Sequence, residues 1–450
     1  MLNSTTFKSS IEVFDWISGF INYEKVKNNR EFRLDRMKSL SKAAGEPDKC
    51  APSIHVAGSK GKGSVTGMVA SILEAAGKKT ARYASPHVND FRERILLGSR
   101  FFDEDIYANA GMELRELLSN NFPANAGSEE APTFFELVTL WYFLCARLAG
   151  CNALAVETGM GGRLDATNIL DPLVSVITII ELEHTEYLGN TIAAIAGEKA
   201  GIIKQDRPLV LAEQSEEALK VFKEHTAKAN SPLIYFPDCA ELQNIRLSRQ
   251  GTYFDLVLKP HPARETYPEL FIPIPGEVQA KNAGLAALAV KTAFPDITEK
   301  EIRKGLAAFT LPARFEKISE NPPVIVDGAH TPSSIDFCLK TFTALYGSKG
   351  ILIFGCAAEK NVPAMAELCV PCFSRIIITT PGTFKKSNPQ EIYRVFVAEA
   401  EKTKSKPEIL FIPETKKAID TAFNLAVNEK LPVLGAGSFY LAGEVRMFGN

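Results

Sequence analysis

No apolar run in this chain approaches the roughly 20 residues that a membrane-spanning helix requires. The opening Met1–Ser10 also lacks the basic-then-apolar order of a secretory signal. Internal repeats and low-complexity tracts are absent too. Positive charge is not in excess: 51 Lys and Arg stand against 53 Asp and Glu, a formal net charge of -2, which argues against a nucleic-acid partner. Of the eight cysteines, only Cys369 and Cys372 form a close pair. Without a second pair or histidines at zinc spacing, that pair reads as structural. The others lie in apolar contexts such as Leu144-Cys145 and Phe354-Gly355-Cys356, as reduced core thiols do. These absences lead to the expectation of a soluble, cytoplasmic protein with no membrane or nucleic-acid partner; a monomer is expected as well, although nothing in the sequence fixes the oligomeric state. A chain of 450 residues, 46% hydrophobic, has room for two or three domains with buried cores.

The richest local pattern is His55-Val-Ala-Gly-Ser-Lys-Gly-Lys-Gly-Ser64. Ser53–Ala57 has strand character, and Val65, Met68, Val69, Ile72 and Leu73 recur at helical spacing before Gly77. The order is strand, glycine-rich loop, helix. In such a turn Gly58, Gly61 and Gly63 let the backbone approach phosphate oxygens, the helix N-terminus presents N–H groups, and Lys62 adds a positive charge. ATP is the expected occupant, held by Gly58, Ser59, Lys60, Gly61, Lys62, Gly63 and Ser64. The loop departs from the usual Walker order because Gly63 separates Lys62 from the hydroxyl of Ser64, so a glycine turn without nucleotide is the competing reading.

Apolar runs at Ala153–Val156, Leu173–Ile180 and Pro208–Ala212 alternate with helical patterns, as in a mostly parallel sheet covered by helices. Between Cys239 and Pro275 the character changes. Thr252–Leu258 and Leu270–Ile274 flank a polar, proline-containing stretch and predict an antiparallel addition, followed by an alanine-rich helix over Gln279–Thr292. A second alternation follows Leu311-Pro312, with strands expected at Pro323–Val326, Ile351–Phe354, Ile376–Thr379, Ile409–Ile412 and Val433–Leu434. Proline near Thr310–Pro312 marks the boundary, giving domains 1–311 and 312–450.

Four clusters carry further chemistry. Tyr83-Ala-Ser-Pro-His87 follows a predicted strand, and Ser85 offers a hydroxyl to a metal or simply forms a turn. Leu154-Ala-Val-Glu157 ends a buried strand on a carboxylate, before Thr158-Gly-Met-Gly-Gly-Arg-Leu-Asp165; a carboxylate there suits Mg²⁺ beside a triphosphate. Glu181-Leu-Glu-His184 follows the next strand and brings His184 to the same sheet edge, either as a ligand or as a satisfied structural histidine. In Ile195-Ala-Gly-Glu-Lys-Ala-Gly-Ile-Ile203, Lys199 either packs its stem and snorkels, or is buried with a lowered pKa that permits modification.

Taken in order and spacing, these motifs resemble the folylpolyglutamate synthase and dihydrofolate synthase family, a branch of the Mur-type ATP-dependent amide ligases. Glu198-Lys-Ala-Gly-Ile202, Gln279 with Asn282-Ala283, Arg314-Phe-Glu316 and Asp327-Gly-Ala-His330 extend the resemblance over nearly the whole chain, and Phe14–Tyr23 with Arg33–Met37 resemble the family's N-terminal helical segment. The resemblance implies an α/β fold: a P-loop nucleotide-binding domain with a mostly parallel sheet, plus a smaller Rossmann-like C-terminal domain. It implies that Lys62 and the loop hold ATP, that Ser85, Glu157 and His184 arrange Mg²⁺, and that Asn282 contacts adenine. Arg314 would reach the phosphates from the second domain, with Asp327 and His330 at the glutamate and nucleotide side and Ser438 as a glutamate contact. Lys62, Lys199, His184, Arg314, Asp327 and His330 form the implied catalytic set, and Lys199 would be carbamylated to N6-carboxylysine. The implied reaction joins L-glutamate to folate or dihydropteroate.

Lys60, Glu183, Val278 and Thr331 depart from the commonest family pattern, which has asparagine, aspartate, histidine and asparagine there. They leave open a Mur-type ligase acting on a non-folate carboxylated acceptor. An ATP-responsive binding protein without catalysis is the remaining reading from another class.

Overall fold

The structure is a computed structural model that describes residues 6–22, 33–121, 131–259, 265–382, 386–404 and 406–448. Tyr23, at the end of the expected N-terminal segment, lies outside the described residues, as do residues 260–264 of the polar stretch. The chain divides into two compact units. One comprises Met1–Asn244, Phe254–Phe271 and Lys281–Phe309; the other comprises Ile245–Tyr253, Ile272–Ala280 and Thr310–Asn450.

The first unit is built on eight strands: β1 Ser53–Ala57, β2 Thr80–Tyr83, β3 Ile95–Leu97, β4 Arg100–Phe101, β5 Ala153–Glu157, β6 Val174–Ile177, β7 Leu209–Leu211 and β8 Leu233–Tyr235, ordered β4-β3-β2-β5-β1-β6-β7-β8. From β2 to β8 neighbouring strands are parallel, while β3 and β4 add antiparallel at the edge. Helices on both faces explain why β1 and β5 are buried at every position. The central strand β1 lies between β5 and β6, so the loops leaving all three emerge at one edge, where open parallel sheets bind ligands.

The helix Lys62–Ala75 follows β1, and Val65, Met68, Val69, Ile72 and Leu73 are fully buried as their spacing predicts, each contributing about 1.5–3 kcal/mol. It ends where Gly77 takes a left-handed turn, φ +77°. Its outer face meets the helix Glu299–Ala308 at Gly305, where a Cβ would lie 2.4 Å from Ile72 Cα. Any side chain at Gly305 would force these helices apart. A second helix, Phe134–Leu148, is apolar nearly all round and buried. Thr133 and Glu136 cap it reciprocally, and Glu136 also pairs with buried Arg36 at 2.9 Å.

Three further strands, β9 Ala240–Ser248, β10 Gly251–Leu258 and β11 Glu265–Ile272, form a separate sheet ordered β11-β10-β9. Only two residues join β9 to β10, which restricts that pair to antiparallel. Strand β9 has no counterpart in the sequence expectations, and β11 starts earlier and ends earlier than Leu270–Ile274. The second unit carries β12 Glu316–Glu320, β13 Pro323–Val326, β14 Gly350–Phe354, β15 Phe373–Ile378, β16 Glu408–Phe411 and β17 Val433–Ala436, ordered β12-β13-β17-β14-β15-β16, parallel except for the β12–β13 pair.

One strand expectation is corrected. Leu173–Ile180 reads as a single strand, but pairing ends at Ile177. Residues 178–184 then form an irregular loop in which the Ile179 carbonyl accepts from Ser59 N rather than from a neighbouring strand. The eight cysteines are free thiols, with Cys372 Sγ 3.4 Å from the Leu368 carbonyl. Among the described residues no helix is long and apolar enough to cross a membrane.

Candidate active site

Strand β1 delivers the chain to Gly58, whose φ of +146° and tight surroundings exclude a side chain: a Cβ would lie 1.8 Å from Thr178 Oγ1. Gly61 takes φ +87° as N-cap of the Lys62–Ala75 helix, and its Cβ would fall 2.7 Å from Asn282 Oδ1. At Gly63 a Cβ would stand 3.3 Å from Glu157 Oε2. The loop is therefore enclosed by Thr178, Asn282 and Glu157, and its glycines are what permit the approach. Lys62 folds back so that Nζ donates to the Gly58 carbonyl at 2.8 Å and, more weakly, to Ser59 O at 3.4 Å. Ser59 ties the loop to the segment after β6, donating from N to Ile179 O at 2.9 Å and from Oγ to Glu181 O at 3.0 Å. Ser64, on the first turn, is buried.

Glu157 is the last residue of β5 and only 4% exposed. Because β2 runs parallel beside β5, the turn after β2 brings Ser85 N within 3.3 Å of Glu157 Oε2. The structure thus joins Ser85, Glu157 and the phosphate loop. His184 lies on the loop after β6, at the left-handed start (φ +45°) of the short helix Thr185–Leu188. Among the described residues no group of three or more His, Cys, Asp or Glu side chains encloses a metal. Glu157, a carboxylate beside the phosphate loop, is a donor of the kind Mg²⁺ takes, with phosphate oxygens and water completing the shell.

Lys199 lies in the helix Ile192–Ala200, capped by Thr191. The glycine-rich loop after β5 packs directly on that helix: a Cβ at Gly162 would be 2.8 Å from Glu198 O, and one at Gly201 would be 2.4 Å from Arg163 Cα. Arg163 N donates to Glu198 O at 2.8 Å and its guanidinium pairs with Glu198 Oε1 at 2.9 Å. Asp165 accepts from Met160 N and Thr167 N, and burial raises its pKa. These contacts fix Lys199, 1% exposed, with Nζ donating to Gly58 O and to Glu183 Oε1, both at 2.9 Å. Burial, then repulsion from Lys62, pull its pKa down to about 8, with Glu183 acting in the opposite sense. Burial pushes Glu183 up, but Lys62, Lys199 and Lys60 together outweigh it and hold that carboxyl at about 2. Glu183 and Thr178 both border the loop, yet sequence reasoning gave Thr178 no role and marked Glu183 only as a departure from pattern.

In the second unit, Asp327 directly follows β13 and Ser438 follows the neighbouring parallel strand β17. Asp327 is half-buried, accepting from Phe315 N at 2.8 Å and Ala329 N at 2.7 Å; desolvation raises its pKa, against the field of Arg314. The Arg314 guanidinium stands 4.2 Å over the Phe439 ring, and His330 meets the same ring edge-on at 5.6 Å while its Nδ1 lies 2.7 Å from Gly328 O. Ser438 is buried and its Oγ accepts from Tyr440 N at 3.1 Å. Four residues scattered in sequence, Arg314, Asp327, His330 and Ser438, thus share one edge of one sheet. Thr331 caps the following helix, Pro332–Tyr346, with a reciprocal Ser334 contact.

The Mur ligase middle domain matches residues 56–290, and the Mur ligase glutamate ligase domain matches residues 313–439. Folylpolyglutamate synthase of Lacticaseibacillus casei is 31% identical over 446 residues, covering 97% of each chain. The chain belongs to the folylpolyglutamate synthase and dihydrofolate synthase family of Mur ligases. It is an enzyme of the ATP-dependent folate synthase type. Another family member, the dihydrofolate synthase/folylpolyglutamate synthase of Bacillus subtilis, is 31% identical over 78% of this chain and 80% of its own. Among solved structures, Mycobacterium tuberculosis folylpolyglutamate synthase complexed with ADP superposes with a TM-score of 0.87 at 26% identity, covering 98% of both chains. The mixed α/β architecture implied by the motifs is the family's architecture.

Proposed function

We propose that this chain joins L-glutamate to the carboxylate of a folate-type acceptor, reduced folates and dihydropteroate among them, at the cost of ATP, and that it works as a cytoplasmic monomer. The observation that supports this reading most is the edge of the parallel sheet where the glycine loop Gly58–Ser64, Lys62, Lys199 and the Ser85–Glu157 pair converge. Residues 1–311 would supply the nucleotide side and residues 312–450 the glutamate side.

In the first step an acceptor carboxylate oxygen attacks the γ-phosphorus, the bond to the β–γ bridging oxygen breaks, and ADP departs from an acyl phosphate. In the second, the glutamate amine attacks the acyl carbon, phosphate leaves, and loss of a proton gives the amide. Both steps gather negative charge on oxygen. In this reading Lys62 and the N–H groups of the loop and first helical turn would face the phosphoryl oxygens, and Arg314 would add a cation. Asn282, against Gly61, and Asp327 would contribute to nucleotide binding, with Asn282 on the adenine side; His330 and Ser438 would orient glutamate. Ser85, Glu157 and His184 would hold Mg²⁺, which neutralises phosphate oxygens. Lys199 is the proposed N6-carboxylysine. Its buried amine, with a pKa near 8, has an unprotonated share at neutral pH to take up CO₂, provided that Glu183 releases it.

Incubating the purified chain with ATP, Mg²⁺, a panel of amino acids and either dihydropteroate or reduced folates, then weighing the products, tests the proposal. Products heavier by glutamate residues are expected. Another amino acid in the product, or ATP turnover without any pterin product, would move the chain to a different acceptor or donor class.

A further inference from the structure

The Gly58 carbonyl accepts from two ammonium groups, Lys62 Nζ at 2.8 Å and Lys199 Nζ at 2.9 Å, and Lys60 belongs to the same loop. Cations gathered this closely and half withdrawn from water repel one another unless an anion stands among them. One does. Glu183 Oε1 accepts from Lys199 Nζ at 2.9 Å, so a carboxylate stands directly against this group of lysines. Glu183 hangs from residues 178–184, which belong to neither β6 nor the following helix, and which are pinned to the phosphate loop through Ser59. Its side chain can therefore move without breaking a strand or a helix.

We propose that Glu183 is a built-in counter-anion of the phosphate cradle, which leaves Lys199 and its neighbouring lysines when the polyphosphate of a nucleotide takes them up. The proposal rests on the ATP-binding reading of the loop. It adds that nucleotide binds in competition with the chain's own carboxylate, and binds more weakly than the bare lysines would allow. An aspartate at this position would be one methylene shorter. The glutamate of this chain has the reach to touch the lysine. Release of Glu183 is also the condition for CO₂ uptake at Lys199, because a carbamate there would face the carboxylate as a second anion.

Calorimetric titration of the full chain with ADP, and with adenosine as a control lacking phosphate, tests the exchange in the wild type, Glu183→Gln and Glu183→Asp. With the competing contact removed, both variants are expected to bind ADP roughly fivefold or more tightly, the scale of a lost close charge contact, with adenosine unchanged. Glu183→Asp keeps the charge and the loop chemistry but withdraws the carboxylate from Lys199, so it remains informative if the glutamine variant folds poorly. Unchanged or weaker ADP binding in both variants overturns the proposal. So does tightening in the glutamine variant alone, which would be a general charge effect. A wild-type chain that binds no ADP would instead sink the nucleotide reading itself.

Discussion

Lys62 and Lys199 donate to one and the same acceptor, the Gly58 carbonyl oxygen, although one opens the helix after β1 and the other comes from the helix Ile192–Ala200. The two residues occupy the loop differently. Lys199 is enclosed and fixed, whereas Lys62 is half-buried and turned onto its own loop.

That contrast gives the first prediction. Lys62→Ala should cost little stability, within about 0.5 kcal/mol, because no buried partner is left behind. It should lower kcat by roughly 100- to 1,000-fold, because the charge proposed to meet the phosphoryl oxygens is gone. Glutamate-dependent phosphate release and thermal unfolding measured on one preparation check both halves. Near-normal turnover would remove the loop lysine from the mechanism.

Gly328 supports the second-unit cluster through what it lacks. A Cβ there would come within 1.9 Å of a Phe439 ring carbon, and that ring is the one Arg314 and His330 pack against. Gly328→Ala should therefore displace the ring, cost about 1–3 kcal/mol, and misplace both side chains. A shift of about 1 Å in positioning groups can cost roughly 100-fold in rate, so kcat/KM should fall on that scale. Gly197 supplies the contrast: nothing lies within 4 Å of a Cβ there, inside a regular helix, and Gly197→Ala should raise stability by about 0.5–1 kcal/mol. Melting temperatures moving in opposite directions would check the pair.

The limits of reading this fold from sequence lie in particular residues. Strand β1 is legible because every position is apolar or buried and Pro52 and Gly58 bound it. Strands β9 and β12 are not, because Glu241, Gln243 and Arg246 in one, and Glu316, Lys317 and Glu320 in the other, interrupt the apolar alternation of half-exposed strands. The run Leu173–Ile180 overshoots because Thr178, Ile179 and Ile180 suit a strand by propensity. The ladder nevertheless stops where Thr178 must press against Gly58 and the Ile179 carbonyl is needed by Ser59. The phosphate loop shows itself through glycines, which mark local backbone conformation. The Glu183–Lys199 contact depends on the reach of two side chains between separate segments, and no local pattern encodes it.

A pH prediction follows from His55, at the centre of β1. It is fully buried, its Nε2 lies 2.8 Å from Thr167 Oγ1, and its Nδ1 has no hydrogen-bond partner among the described residues. Burial, with a smaller contribution from the charge of Lys204, lowers its pKa from 6.5 to about 3. As pH falls below 6.5 the unfolded chain takes up this proton while the folded chain resists it. The stability His55 contributes is therefore full above pH 6.5 and is lost as pH falls toward 3, by up to about 1.4 kcal/mol per pH unit. His55→Gln removes that proton from the balance. Denaturant midpoints measured from pH 7 to pH 4 should fall less steeply in the variant, and parallel slopes would show that His55 does not govern the acid limb.

Lys199 separates three chemistries that a static side chain leaves superposed. As a carbamate it would provide an anion near the proposed Mg²⁺ position; as an ammonium it is a cation paired with Glu183; as packing alone it fills a buried gap beside Gly58. Lys199→Ala removes all three, so the loss of most ligation does not by itself choose among them. Small molecules can. Acetate supplies a carboxylate and should restore part of the activity if the missing element is the carbamate anion, whereas methylamine supplies the ammonium and should restore none. For a packing residue neither additive should act, and the variant should lose stability on the scale of about 2–5 kcal/mol seen when large buried side chains are truncated. The carbamylation proposal predicts rescue by acetate alone, increasing with concentration. Rescue by methylamine without acetate would assign Lys199 to catalysis as a cation, and would make its pairing with Glu183 the working state of the site.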